Sequence, residues 1–280
     1  MHTADESSTH RGGPVAYTDV KRGNPKKETQ IIAVINQKGG VGKSTTAINL
    51  GAALGDLKKK VLVIDFDPQG NTTSGFGIEK EALEQDIYDV LLHDADIADT
   101  ICETPVPSVF VVPATIQLAG AEIELVSAMA RESVLASKLD PIAGQFDYIF
   151  IDCPPSLGLL TVNALVAAKS LLIPIQCEYY ALEGVTKLLE SMKMVKARLN
   201  SGLEIFGVVM TMFDKRTTLS KQVVEEVQNY FGNLVFKTLI PRNIKLSEAP
   251  SHGLPVTLYA PTSKGSVAYS KLAKEVSRRG

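Results

Sequence analysis

The residue types most suited to chemistry stand in one glycine-rich segment, residues 37–44, with the sequence QKGGVGKS. Its end matches the phosphate-binding P-loop pattern G-x-x-x-x-G-K-[ST], although glutamine replaces the first glycine. Gly39, Gly40 and Gly42 let the backbone curl, so that successive N–H groups point into one concavity that binds phosphate oxygens. A helix-like run follows and adds the unpaired N–H groups of its first turn. We therefore predict a nucleotide phosphate site rather than an ordinary glycine turn.

Three side chains of this segment have separate expected tasks. Lys43 is placed to reach the β- and γ-phosphates, and the Ser44 hydroxyl is placed to coordinate Mg²⁺. The second lysine, Lys38, comes too early in the loop to be the ordinary phosphate lysine. From spacing alone, a solvated lysine is the alternative for Lys38.

Acidic side chains follow two further apolar runs. Asp65 and Asp67, in DFDPQGN, come directly after the run 61–64, and Asp152 ends the run 148–151. A carboxylate beside a phosphate site can hold Mg²⁺ or orient an attacking water. The alternatives are an ordinary Asp-Pro and Gly-Asn turn for the first pair and a chance strand-end aspartate for the second. With a P-loop in the same sheet, we expect Asp152 and Asp67 to serve the metal and Asp65 to stabilise the loop or the metal shell.

Short apolar runs alternate with longer amphipathic ones from residue 31 onward, which predicts right-handed β-α-β crossovers. The expected fold class is α/β, a doubly wound, mostly parallel sheet with helices on both faces and ligands at the carboxyl ends of the strands. We expect a mobile N-terminal tail over 1–29 and a single domain over 30–280. Strands are predicted at 31–35, 61–64, 109–112, 148–151, 171–175, 205–210 and 235–240. Helices are predicted at 44–54, 80–92, 117–138, 157–168, 181–199, 217–231 and 266–278.

Net charge, cysteine spacing and the lengths of the apolar runs limit the classes of protein to which this chain can belong. The net charge of −2 favours neither a general nucleic-acid binder nor an acidic tail protein. Residues 200–280 nevertheless hold 11 Lys/Arg against 6 Asp/Glu, which suits either contact with a polyanion or a solvated basic face. The three cysteines form no C-x-x-C pair, so neither a disulfide framework nor a zinc site is indicated. Because no signal-peptide core or membrane-length apolar run is present, we expect a cytoplasmic protein.

Four motifs in order, KGGVGKS, DFDPQGN, FDYIFIDCPP and IPRNIKLSEAPS, resemble the ParA/Soj partition ATPases of the ParA/MinD superfamily. KGGVGK[ST] is the deviant Walker A motif of that superfamily. The resemblance implies an ATPase that uses ATP and Mg²⁺ and is a homodimer when ATP is bound. It implies that Lys38 reaches the partner's nucleotide and that Asp67 positions the hydrolytic water. The implied nucleotide contacts are Lys38, Gly39, Gly40, Val41, Gly42, Lys43, Ser44 and Thr45, with Met212, Pro241, Arg242 and Asn243 at the adenine.

The resemblance also implies partners. The ATP-bound dimer is expected to bind double-stranded DNA without sequence preference and to be released when a ParB/Spo0J-like protein stimulates hydrolysis. DNA phosphates would be contacted by Arg216 and Lys245, for which a solvated cation is the alternative. The expected location is the nucleoid, with no membrane contact. Whether the role is chromosomal or plasmid-borne is left open by the sequence.

Three alternatives share the same phosphate loop. A MinD-like division-site ATPase needs a basic amphipathic helix for membranes, and residues 263–280 carry Val267, Leu272, Ala273 and Val276 beside five lysines and arginines. A nitrogenase iron-protein-like reductase needs cluster cysteines at a dimer axis, for which Cys153 is the candidate, against a small buried hydrophobe. An ATP-dependent ligase would need a small co-substrate.

Overall fold

The computed structural model describes residues 28–179 and 181–279. The expected tail therefore lies outside the described residues, except for its last two. Thr29 is already packed: it is 3% exposed, and its hydroxyl donates to the carbonyl oxygens of Ala143 and, at 2.7 Å, of Phe146.

Seven strands form one sheet among the described residues. They are β1 (Gln30–Val34), β2 (Val61–Asp65), β3 (Cys102–Glu103), β4 (Val109–Val112), β5 (Tyr148–Asp152), β6 (Ser170–Gln176) and β7 (Glu204–Thr211). Their order is β3-β4-β2-β5-β1-β6-β7, and every pairing is parallel except that of β3 with β4. In this register Asp152 pairs with Asp65 on one side and with Val34 on the other, so the two acidic residues are neighbours and Asp152 lies next to the end of β1, from which the phosphate loop starts.

The helices cover both faces of the sheet. They are α1 (Lys43–Asp56), α2 (Asn71–Gly75), α3 (Ile87–Leu92), α4 (Leu118–Glu124), α5 (Val134–Leu139), α6 (Leu159–Ala167), α7 (Glu183–Arg198), α8 (Thr218–Phe231), α9 (Ile244–Glu248), α10 (Val256–Tyr259) and α11 (Lys264–Arg279). Short 3-10 turns lie at Lys80–Ala82, Leu125–Ser127, Ala143–Gln145, Gly232–Leu234 and Ala249–His252.

Both faces of the central strands are buried. Leu62 and Ile64 of β2 belong to one apolar cluster, whereas Val61 and Val63 belong to the cluster on the opposite face. This alternation is the reason why the strands read as continuous apolar runs. The predicted doubly wound, mostly parallel α/β fold is confirmed. No helix in the described ranges is both long and apolar enough to cross a membrane.

The predicted strand over 235–240 is wrong as a regular strand. It meets β7 through the isolated bridge of Val208 with Val235 and through the N–H groups of Phe236 and Ile240, which donate to the Val208 and Met210 carbonyls at 2.9 Å each. Between these contacts the Lys237 N–H donates to a carboxylate oxygen of Glu275 in α11 at 2.9 Å. Pairing with β7 is interrupted because the middle of the segment bonds to a helix instead.

Two long helix predictions are also wrong in extent. The predicted helix 80–92 is a 3-10 turn followed by α3, which starts at a capping box between Asp86 and Asp89. The predicted helix 117–138 is divided into α4, a 3-10 turn and α5, with Ala130 in the left-handed region at φ 52°. The antiparallel strand β3 was not predicted, since two residues are too few to show a pattern.

Candidate nucleotide-binding site

The phosphate loop joins β1 to α1 and is held by backbone geometry. Gly40 and Gly42 adopt φ values of 75° and 90°, a region that glycine occupies without a Cβ penalty. The Thr211 hydroxyl at the end of β7 donates to the Val41 carbonyl at 2.8 Å and fixes the loop from behind. A Cβ added to Gly39 would meet no atom within 4 Å. The chain itself therefore leaves open space above Gly39.

The two lysines of the loop have different surroundings. Lys43 is 7% exposed and its ammonium donates to the Lys38 carbonyl at 3.2 Å. Burial lowers the pKa of Lys43, an effect opposed first by the charge of Asp152. The Lys38 ammonium instead forms an ion pair with Glu178, in the loop between β6 and α7, and its side chain is 41% exposed. Lys43 thus faces the site from inside, and Lys38 lies at its rim.

Asp152 ends β5 and is completely buried. Its Oδ2 accepts from the Thr72 hydroxyl at 2.7 Å, whereas Oδ1 has no hydrogen-bond partner within the described ranges. Burial raises the pKa of Asp152, while the hydroxyls of Ser44 and Thr72 lower it. The Ser44 hydroxyl is therefore near enough to stabilise the charge but does not satisfy Oδ1 with hydrogen-bond geometry.

Asp65 holds the loop that follows β2. Its Oδ2 accepts from the N–H and from the hydroxyl of Thr73, each at 2.7 Å, and its Oδ1 accepts from the Asp67 N–H at 3.3 Å. Burial raises the pKa of Asp65, the negative charge of Asp152 raises it further, and the Thr73 bonds oppose this rise. Asp65 thus stabilises the loop, one of the two roles expected for it.

Asp67 lies next to this anchor and borders the cavity. It is 8% exposed, and its Oδ1 accepts from the Gln69 N–H at 3.0 Å. Its carbonyl accepts from the Gly70 N–H at 2.8 Å, which closes a tight turn. The carboxylate is therefore fixed in direction by the turn that it belongs to.

A hydrated Mg²⁺ fits these residues. Asp152 Oδ1 is a buried carboxylate oxygen that has no hydrogen-bond donor within the described ranges, so a cation could satisfy it, and the Ser44 hydroxyl is beside it. Within residues 28–179 and 181–279 no group of three or more His, Cys, Asp or Glu side chains could hold a metal alone. Mg²⁺ commonly binds through one or two protein oxygens plus phosphate and water, so this sparse set suits it.

A cavity of about 720 Å³ opens over the loop. Of the predicted contact residues it is lined by Gly39, Gly40, Gly42, Lys43, Ser44, Thr45, Asp67, Met212, Pro241, Arg242 and Asn243. Lys38, Val41 and Asp152 do not line it: Lys38 is at the rim, and the other two are buried beneath. Apart from Lys38 and Val41, the predicted phosphate and adenine residues are thus brought together in one pocket.

Sequence reasoning missed part of the lining. Thr211 ends β7 at the carboxyl edge of the sheet, and that position alone could have identified it. Tyr269 of α11 also lines the cavity, and its hydroxyl lies 3.2 Å from the Thr46 hydroxyl. No local signal marks Tyr269, because only the packing of α11 on α1 brings it there.

The expected adenine side of the cavity comes from the segments after β7 and before α9. Met212 adopts the left-handed region at φ 52°. The Asn243 side-chain oxygen accepts from the Lys245 N–H at 2.9 Å and caps α9. With the oxygen so occupied, the Asn243 amide nitrogen is the group left to face a ligand as a donor.

The two predicted DNA contacts are both paired with nearby carboxylates. Arg216 donates to both Asp214 oxygens, with the shortest N···O distance at 2.6 Å. The Lys245 ammonium donates to Glu248 Oε2 at 2.8 Å. The same oxygen accepts from the Tyr259 hydroxyl at 3.0 Å. Both cations lie outside the cavity.

Known proteins resemble this chain over most of its length. A family model described as an AAA domain matches residues 29–205. Bacillus subtilis Soj, a sporulation initiation inhibitor protein, is 58% identical over 251 residues, which covers 90% of this chain and 99% of that protein. The Myxococcus xanthus chromosome partitioning protein ParA is 51% identical over 250 residues, covering 89% and 88%.

Solved structures share the fold. Cobyrinic acid a,c-diamide synthase from Mycobacterium smegmatis, with bound ADP and magnesium, has a TM-score of 0.78 at 37% identity, covering 89% of this chain and 94% of that one. The Pyrococcus furiosus cell division ATPase MinD has a TM-score of 0.75 at 28% identity, covering 90% and 99%. With the resemblance confirmed by identities of 51–58% over most of its length, this chain belongs to the Soj/ParA family of chromosome-partitioning P-loop ATPases.

Proposed function

We propose that this protein is a Mg²⁺-dependent segregation ATPase that pairs with a second copy when ATP is bound and then holds DNA. The observation that supports pairing most directly is the place of Lys38. This lysine belongs to the phosphate loop, yet it does not line the cavity of its own chain. It stands at the rim with a long flexible stem, where a phosphate presented by another chain is within its reach.

The loop and the residues around it supply groups for both the nucleotide phosphates and Mg²⁺. Loop N–H groups and Lys43 hold the phosphates, and Ser44 with Asp152 holds Mg²⁺, directly or through water. A magnesium ion held by these residues would neutralise negative charge on the phosphates. The magnesium and ADP found in the mycobacterial relative support the same occupants here.

Asp67 is the residue proposed to orient the attacking water. Its carboxylate borders the cavity, and the Asp67–Gly70 turn fixes its direction. A carboxylate that orients water without other help supplies modest catalysis, so we expect slow turnover by the protein alone. Stimulation by a ParB/Spo0J-like partner then has a chemical reason.

Exposed apolar side chains at the carboxyl edge of the sheet support a second copy as the pairing partner. Ile116 follows β4, Leu157 follows β5, and Ile244 starts α9, with exposed fractions of 67%, 42% and 69%. Ile244 borders the nucleotide cavity, and Ile116 and Leu157 follow strands whose carboxyl ends lie at the same edge of the sheet. A face-to-face dimer would cover these side chains and both nucleotides at once.

Reaching the partner's nucleotide would cost Lys38 an ion pair that it forms within its own chain. Lys38 must first break its ion pair with Glu178, which it forms in the single chain. The Lys38 N–H meanwhile donates to the Asn36 side chain at 3.0 Å, so the backbone stays in place while the side chain swings. Pairing is therefore proposed to exchange a carboxylate partner for a phosphate partner.

DNA binding is proposed to use Arg216 and Lys245 through phosphate contacts. Each cation is held by one carboxylate, Asp214 or Glu248, and must share or leave it to meet a phosphate. Phosphate contacts of this kind weaken steeply as salt rises. Attachment to the nucleoid is the cellular consequence that we propose.

Two alternatives lose support from the fold. The apolar face of α11, including Leu272 and Val276, is buried against the domain rather than presented to a membrane. Cys153 is fully buried with a thiol pKa raised well above its usual value by burial, and Cys102 and Cys177 are buried too. A reductase cluster needs accessible thiolates, which these surroundings do not favour.

ATP-dependent DNA binding by the wild type and by Asp67→Ala tests the proposal. We expect the wild type to retain DNA with ATP and not with ADP, and to release it as ATP is consumed. The variant should hydrolyse at least about 100-fold more slowly and stay on DNA. If it neither pairs nor binds DNA, or if it hydrolyses ATP normally, the role of Asp67 is wrong.

A further inference from the structure

The turn that carries Asp67 is anchored from two sides. On the inner side, Asp65 accepts from Thr73, and the Thr73 hydroxyl in turn accepts from the Ala114 N–H at 2.9 Å. On the outer side, the Lys80 ammonium donates to the Gln69 carbonyl at 2.7 Å. Lys80 belongs to the 3-10 turn Lys80–Ala82, which is separate from the nucleotide site.

Lys80 packs closely against this turn. A Cβ placed on Gly70 would come within 2.5 Å of both Cε and Nζ of Lys80, and within 2.6 Å of the Ala114 carbonyl oxygen. Gly70 has φ 61° and is therefore confined between the lysine and the backbone of residue 114. The turn is held by contact as well as by a hydrogen bond.

Gln69 connects the outer contact to the catalytic carboxylate. Its carbonyl accepts from Lys80, while its N–H donates to Asp67 Oδ1 at 3.0 Å. Gln69 also borders both the nucleotide cavity and the outer groove that holds Lys80. Fixing both ends of this residue limits rotation of its backbone and so fixes the direction of the Asp67 side chain.

We propose that Lys80 is a positioning residue for hydrolysis, holding the turn that aims Asp67 into the cavity. The inference rests on the proposed role of Asp67. Lys80 does not line the nucleotide cavity, and within the described ranges its ammonium is in no ion pair and donates to the Gln69 carbonyl. Its loss should therefore slow the chemical step without weakening nucleotide binding.

The variants to compare are Lys80→Met, which keeps the stem but removes the donor, and Lys80→Arg, which keeps a cationic donor. Lys138→Met, at another partly exposed lysine, is the matched control. We expect Lys80→Met to lower kcat about tenfold, the factor associated with a charge-assisted hydrogen bond. Affinity for ATP should stay within about twofold, Lys80→Arg should recover most of the turnover, and the control should behave as wild type.

Combining Lys80→Met with Asp67→Ala separates this inference from the function on which it rests. If Lys80 acts through Asp67, the double variant is no slower than Asp67→Ala alone. An unchanged kcat in Lys80→Met, a parallel loss of ATP affinity, or no recovery with arginine would overturn the role of Lys80. Normal hydrolysis by Asp67→Ala would overturn the proposed function instead.

Discussion

The cavity and its rim hold their charges in different ways. Inside, Lys43, Asp65 and Asp152 are buried and fixed by loop carbonyls, threonine hydroxyls and backbone N–H groups. At the rim and beyond, Lys38, Arg216 and Lys245 are each held by one carboxylate side chain. Buried charges are costly to disturb, whereas half-exposed pairs exchange partners at little cost. We therefore expect the buried charges to determine whether ATP binds, and the exposed ion pairs to adjust dimerisation and DNA binding.

Lys43→Met should have the largest effect of the changes that test this contrast. It removes a buried cation that faces phosphate, a loss that costs several kcal/mol, so ATP affinity should fall by at least about 100-fold. Isothermal titration with ATP and Mg²⁺ measures this directly. An affinity within a few-fold of wild type would show that the interior charge is not what binds the nucleotide.

Gly39→Val separates binding from pairing. Because a Cβ at Gly39 meets no atom of its own chain within 4 Å, the variant should fold normally and bind ATP. ATP-dependent dimerisation should weaken at least tenfold, since in the proposed face-to-face dimer a side chain there would meet the second copy in a tight interface. Sedimentation velocity with a non-hydrolysable ATP analogue gives the dimer fraction. A normal dimer would contradict the proposed face-to-face geometry.

Glu178→Gln tests the cost of releasing Lys38. Removing the carboxylate charge should favour dimerisation roughly threefold per chain, which is within the range for partly exposed ion pairs. Because a dimer releases two lysines, the dimer dissociation constant should fall roughly tenfold. Glu28→Gln is the control, since it breaks another ion pair, with Lys169. The dimer dissociation constant with the ATP analogue is the readout. Weaker pairing in Glu178→Gln would mean that this carboxylate serves the dimer instead.

Asp214→Asn should have the smallest effect. The amide keeps the side-chain oxygen that accepts from the Arg216 N–H but loses the charge that competes with DNA phosphate. We expect DNA affinity of the ATP-bound form to rise about threefold, with a similar slope against salt. Asp94→Asn, which weakens the exposed pair with Lys138, is the control. Unchanged affinity would mean either that Arg216 does not contact DNA or that Asp214 does not compete with DNA phosphate for Arg216.

The sequence predicted the parts of the site that are local in the chain. The phosphate loop, Asp67 and Asp152 each follow a buried strand, and parallel strands bring their carboxyl ends to one edge. Glu178, Lys80 and Tyr269 could not be found in this way, because their places depend on how distant segments pack. The broken strand at 235–240 has the same cause, since the competing partner, Glu275, lies far along the chain.

Mixing two inactive variants tests most directly whether Lys38 acts on the partner's nucleotide. In a mixed dimer of Lys38→Ala and Asp67→Ala, the nucleotide on the Lys38→Ala chain has its own Asp67 and receives Lys38 from the other chain. Random pairing should restore about one quarter of wild-type partner-stimulated hydrolysis, because half of the dimers are mixed and each has one complete site. If Lys38 acts within its own chain, no site is complete and the mixture stays as inactive as its components.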